Sequence, residues 1–284
     1  MTQPAPSLAA LLLADSRLPV GGYTVSGGLE PALLGGMSAR DVPAFIAMRL
    51  ATVARVEAGT AVVAAAAVRS EMVLSDASRS GMEPPVTVRS EEAMTTAMPT
   101  DAAQPEATQS QAEPAATPST MSHSTPGATR IDAQDVAWAW AARTPVAAVR
   151  ESSVAQGRAM LRLVRRLRPD GPAATWLDRL PRTLTTRAVV LGAFAGELGL
   201  DGASVARVVG YDDVQSVTAA ALKLEPLDPV DAVAWTLDAA AHLDDLVAAC
   251  AHLTAPHDIP AHSAPQLEAW HAAHAATERK LFRV

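Results

Sequence analysis

A chain of 284 residues with 49% apolar residues is long enough to bury a substantial core, while an aromatic content of 4% argues against a sheet-based interior. Much of the apolar content is alanine, which favours closely packed helices. The formal charge of −7 excludes the broad positive field of a sequence-independent nucleic-acid binder, and the one cysteine, Cys250, excludes an internal disulfide or a set of cysteine ligands within one chain.

Residues 5 to 16 read as a short apolar helix stopped at Pro19. No basic residue precedes this stretch, and Asp15 and Arg17 follow it at once, unlike a signal peptide. Nowhere do about eighteen uncharged apolar residues run together, so a soluble, cytoplasmic protein with no membrane or nucleic-acid partner is expected. The run PVGGYTVSGGLEPALLGG carries glycine pairs at 21 and 22, 27 and 28, and 35 and 36. Because glycine permits positive φ, this reads as a turn, a short helix around Gly28 to Leu34, and another turn. Asp41 and Pro43 then open a helix predicted to run to about Arg69.

From Ser70 to about Thr129 the chain turns to Ser, Thr, Pro, Glu, Gln and Met with no helical or strand period. Such a composition buries too little apolar surface to offset chain entropy, so 70–129 is predicted to be a disordered insertion of roughly sixty residues. Loop-closure cost rises only logarithmically with length, and residues 1–69 and 130–284 are therefore expected to form one helical domain.

Asp132 or Asp135 opens a helix through VAWAWAAR, and Thr144 with Pro145 marks the start of the next. That next helix places Val149, Ser153, Gln156 or Gly157, Met160, Val164 and Leu167 on one stripe, with Ser153 and Gly157 leaving room for a second backbone. Its arginines, Arg158, Arg162, Arg165 and Arg166, form either a solvated face or an interface for acidic groups. Further helices are predicted near Ala173 to Leu180, Thr185 to Leu198, Gly202 to Leu224, Pro229 to Thr254 and Ala264 to Phe282. The class is all-α, a single multi-helix domain of about eight to ten helices.

Catalytic signatures are missing. The only lysines, Lys223 and Lys280, stand in no phosphate-binding loop sequence, and HExxH, GxSxG and a strand-linked GxGxxG are absent. Six of the seven histidines lie between His242 and His274, and the pair His271 and His274 is spaced to share a helix face. That pair keeps open a minority reading in which the chain itself carries nickel or zinc, against an incidental histidine-rich tail with no metal.

Taken together, the motifs resemble the urease accessory protein UreF family. LLLADSRLPVGGYTVSGGLEPALLGG is similar to the family's opening pattern through Leu18, Pro19, Gly21, Gly22, Tyr23, Ser26, Gly28, Leu29 and Glu30. ARTPVAAVRESSVAQGRAMLRL resembles a second family helix through Arg150, Ser153, Gly157, Arg158 and Leu161. VTAAALKLEPLDPVDA matches a third segment at Ala220, Leu222, Leu224, Pro226 and Leu227, and HAATERKLFRV resembles the family's tail. The insertion, Leu191 with Gly192, and Asp228 with Pro229 depart from the family pattern.

The resemblance implies an all-α, non-enzymatic protein that needs no cofactor. It would dimerise, bind the accessory protein UreD (also called UreH) and the GTPase UreG, and serve nickel delivery into apo-urease. It further implies that Gly21, Gly22, Tyr23, Ser26, Gly28 and Glu30, with Arg150, Ser153, Gly157 and Arg158, shape a surface for the GTPase or the dimer contact. Pure backbone geometry is the competing account of the glycines. Glu278, Arg279, Leu281, Phe282 and Arg283 would be a tail that orders on docking to UreD with Phe282 as its anchor, the competing account being a frayed end.

Overall fold

A computed structural model describes residues 4–15, 17–19, 25–80, 130–277 and 281–282. The described residues contain α-helices and short 3-10 turns and no strand. The helices are α1 (Pro6–Leu13), α2 (Leu29–Leu34), α3 (Val42–Ala51), α4 (Val53–Ser80), α5 (Ala133–Ala142) and α6 (Ala147–Leu167). They continue as α7 (Pro172–Leu177), α8 (Arg187–Glu197), α9 (Gly202–Leu224), α10 (Pro229–Asp238), α11 (Ala240–Cys250) and α12 (Pro265–Ala275).

The all-α class holds, and the twelve α-helices among the described residues exceed the expected eight to ten because two long helices are divided. The helix expected to reach Arg69 breaks at Thr52, whose φ of −125° and ψ of −97° are non-helical and whose Oγ1 donates to the Met48 carbonyl at 2.7 Å. The side chain competes for a helix carbonyl, as β-branched hydroxyl residues do. The helix expected over 229 to 254 is divided at Ala239 into α10 and α11. Toward the insertion the correction runs the other way: α4 stays helical through Ser80, and residues 81–129 lie outside the described residues.

The alanine content is explained at the centre of the bundle. Every residue of α8 from Ala188 to Glu197 is buried, with α4, α6 and α7 packed around it. Gly192 and Gly196 lie one turn apart on α8, directly against Ala61 and Ala65 of α4. A Cβ on Gly192 would overlap the Ala61 carbonyl oxygen, and one on Gly196 would sit 2.5 Å from that of Ala65. Two helix backbones therefore touch, which only small residues allow. Val53–Ser78 is apolar and long enough to cross a bilayer by length and composition, but most of that stretch is buried inside the fold. Its apolarity is accounted for by the core it forms with α8 and α9.

The capping chemistry follows the sequence. Asp132, Asp201 and Asp228 accept from Gln134 N, Ser204 N and Val230 N and so cap α5, α9 and α10. The helix predicted to run on to Phe282 stops at Ala275, and Leu281 with Phe282 follows in non-helical backbone.

Candidate functional site

Ser26, Gly28 and Glu30 of the opening signature lie at one junction, where α2, α12, residues 281–282 and the last turn of α3 meet. Ser26 and the two glycines that follow form the turn into α2. Ser26 Oγ accepts from Glu30 N at 3.3 Å, and Gly27 and Gly28 take φ of +60° and +84°, a region L side chains avoid. Space demands glycine as well: a Cβ at Gly28 would lie 2.6 Å from Leu267 and 2.8 Å from His271, both on the buried face of α12.

Glu30, in the first turn of α2, is 6% exposed. Its Oε1 accepts from Leu281 N at 2.7 Å, and its Oε2 accepts from Phe282 N at 2.9 Å. The same Oε2 lies 3.1 Å from His274 Nε2, which requires the imidazole to donate there. Phe282 is buried to 4% exposure with the Lys223 ammonium 5.2 Å from its ring centroid, whereas Leu281 is 64% exposed.

Below the turn lies a layer of paired charges. Arg49 donates to the Gly27 carbonyl and forms a two-point ion pair with Asp213 through Nε at 3.0 Å and Nη2 at 2.5 Å. Arg187 pairs with Asp212 at 2.7 Å. These groups, with Glu57 and His271, line a cavity of about 160 Å³. Burial pushes the Glu57 carboxyl above the usual carboxylate range, against the opposing effect of a hydrogen bond from Trp140 Nε1 at 2.6 Å. Burial likewise raises Asp212, with Arg187 opposing. His271 is held down to about 3 by burial, by the nearby Arg49 charge and by His274, so its imidazole is neutral.

Several residues singled out from the sequence have intramolecular roles. Arg150 donates to the carbonyls of Thr144 and Pro145, and Ser153 Oγ accepts from Arg187 N at 3.1 Å. Gly157 is pressed on the 185–186 backbone, and Arg158 donates twice to the Arg182 carbonyl. The second motif thus fastens α6 to the turn before α8. Of the basic stripe, Arg165 pairs with Asp178 at 2.5 Å, both being more than half exposed. Gly21, Gly22, Tyr23, Glu278, Arg279 and Arg283 lie outside the described residues.

His271 and His274 do share one face of α12, as their spacing predicts, but that face is buried and His274 is engaged with Glu30. Among the described residues no three His, Cys, Asp or Glu side chains converge as a metal-ion site. Sequence reasoning missed Arg49, Asp213, Asp212 and Glu57. The arginine and carboxylates stand on separate helices, and the only local signal was a charged residue inside an otherwise apolar helix.

A model of the UreF family matches residues 37–240. The chain belongs to the UreF family of urease accessory proteins. The Urease accessory protein UreF of Mycobacterium sp. (strain JLS) is 30% identical over 274 residues, 96% of this chain and 96% of the relative. That of Mycobacterium tuberculosis (strain ATCC 25618 / H37Rv) is 30% identical over 233 residues, 81% of this chain and 79% of the relative. The match with the UreF family model covers α3 to α10, so the glycine turn, Glu30, α12 and the tail lie outside it. The JLS relative is long enough to include most of them.

Proposed function

We propose that this chain is a non-enzymatic scaffold in the nickel-insertion complex that matures urease, acting in the cytoplasm as a homodimer. It binds UreD (UreH) and the GTPase UreG and through them meets apo-urease, with nickel as cargo. Beyond family membership, one observation carries the reading: Glu30 joins the N-terminal signature and the C-terminal segment into a single surface. The polar groups there are engaged in holding chain segments together. The mechanism is one of binding energy, in which a surface that fits one nucleotide state of the GTPase better than the other shifts that equilibrium.

For the second copy, α10 offers a stripe of exposed Val230, Val233 and Leu237 at helical spacing. Carriage of nickel by the chain itself lacks comparable support, because His271 and His274 are buried and His274 Nε2 is engaged with Glu30. Titration with nickel is expected to show no tight site that disappears when both histidines are replaced.

The central test is co-expression with UreD and UreG followed by purification through a tag on this chain. All three should be retained together, and cells lacking the gene should accumulate apo-urease. Normal urease maturation without the gene, or substrate turnover by the pure chain, would overturn the reading.

A further inference from the structure

We propose that the arginine face of α6 docks the acidic segment 81–129 of the same chain. From Arg158 to Arg182 the chain carries seven arginines against two carboxylates, Asp170 and Asp178. Three of these arginines have carboxylate partners: Arg165 pairs with Asp178, Arg168 with Glu197 and Arg179 with Glu71. The other four have none among the described residues. Arg158 and Arg162 donate to the carbonyls of Arg182 and Arg158, which satisfies N–H groups without cancelling charge, and Arg166 and Arg182 are exposed. Arg158, Arg162 and Arg166 stand one turn apart on one helix face, where like charges repel unless a counter-charge is close.

Segment 81–129 supplies that counter-charge. It carries Glu83, Glu91, Glu92, Asp101, Glu106 and Glu113 against a single arginine, Arg89. Its roots lie beside the face. The chain leaves α4 at Ser80, and on its return Glu71 Oε1 accepts from Arg130 Nε and from Arg179 Nη1, each at 2.6 Å. Arg179 adjoins Asp178, the partner of Arg165 on α6, so a row of paired charges leads from the root of the segment to the arginine face. At about 3.3 Å per residue the middle of this loop can extend about 80 Å from its roots, against about 30 Å for the length of α6. Exposed ion pairs are individually weak and screened by salt. Tethering offsets that weakness, because the rooted segment meets the face at an effective concentration of about millimolar. The contact is multivalent and salt-sensitive, no single carboxylate decides it, and it does not depend on the proposed function.

The test uses carbodiimide, which joins a carboxylate to an amine without a spacer and does not couple arginine. The chain has only two lysines, Lys223 and Lys280, so Arg162→Lys, Arg166→Lys and Arg182→Lys, which keep the charge, place reporters on the face of the full-length protein. Mass spectrometry should find these lysines joined to carboxylates of 81–129, with the yield falling about tenfold in about 1 M NaCl. In a mixture of isotopically light and heavy protein the links should stay within one copy. Independently, Glu83→Gln, Glu91→Gln, Glu92→Gln, Asp101→Asn, Glu106→Gln and Glu113→Gln together should tighten binding of poly-L-glutamate about tenfold in low salt, since the face then lacks its intramolecular competitor. Absence of links to 81–129, links confined to Asp170 and Asp178, links formed only between copies, or equal poly-L-glutamate affinity with and without the six carboxylates would overturn the proposal.

Discussion

The contact between α4 and α8 and the junction around Glu30 are both buried, yet opposite forces hold them. At the first, Gly192 and Gly196 bring one helix backbone onto Ala61 and Ala65 of another, and what stabilises the contact is the exclusion of water by closely fitted small groups. At the second, Glu30 takes two backbone amides and the His274 imidazole, and Arg49 is paired with Asp213. The first region is intolerant of volume and indifferent to pH. The second tolerates small changes of volume better than it tolerates loss of a partner, and the cavity beside it holds His271 and Glu57, whose protonation is shifted by burial.

The sharpest way to break this contrast is Gly192→Val, since even a Cβ has no room against the Ala61 carbonyl. We expect a loss of about 4 kcal/mol or more, measured by urea unfolding or seen as failure to fold. Next in size is Asp213→Ala, which leaves the enclosed Arg49 without its ion-pair partner, facing the Gly27 carbonyl and the Phe45 ring. A cost of about 3 kcal/mol is expected, and Asp213→Asn should recover part of it. Gly28→Ala combines a φ of +84° with contact on Leu267 and His271. It should cost about 1–3 kcal/mol and loosen α12 in hydrogen exchange before it loosens α8. A midpoint as low as that of Gly192→Val would mean that the junction is no softer than the core.

The smallest effects are those of pH, and their signs differ between two residues of one cavity. His271 is neutral when folded, with its proton affinity lowered from 6.5 to about 3 by burial first. It therefore contributes stability that is present above pH 6.5 and declines as the pH falls toward 3. Glu57 is raised above 4.5 by burial, so its contribution is complete below pH 4.5 and is lost as the pH rises through the raised value. His271→Gln should flatten the acid limb of a stability–pH curve, and Glu57→Gln the limb above it. Two variants moving the same limb would contradict the assignment.

How much of this was legible beforehand differs by region. The helices of α5 and α9 announced themselves through Asp132 and Asp201, whose caps need only residues two or three positions on. The stripe of α6 was readable because Ser153, Gly157, Met160 and Val164 repeat at helical spacing. Thr52 and Ala239 were not legible as breaks, since neither residue type is a strong helix breaker. The glycine turn was visible as a motif, while the reason for Gly28 was not, because Leu267 and His271 lie more than two hundred positions away. Glu30 read as part of a partner surface, and the fold encloses it.

By itself the amino-acid order determined the helical class, the places where chain chemistry starts and stops helices, and the signature of the UreF family, because these depend on composition and on residues a turn or two apart. Only the tertiary structure decided that a buried carboxylate would hold the far end of the chain and that two helix backbones would touch. Both depend on which distant groups meet once water is excluded, and local spacing carries no record of that.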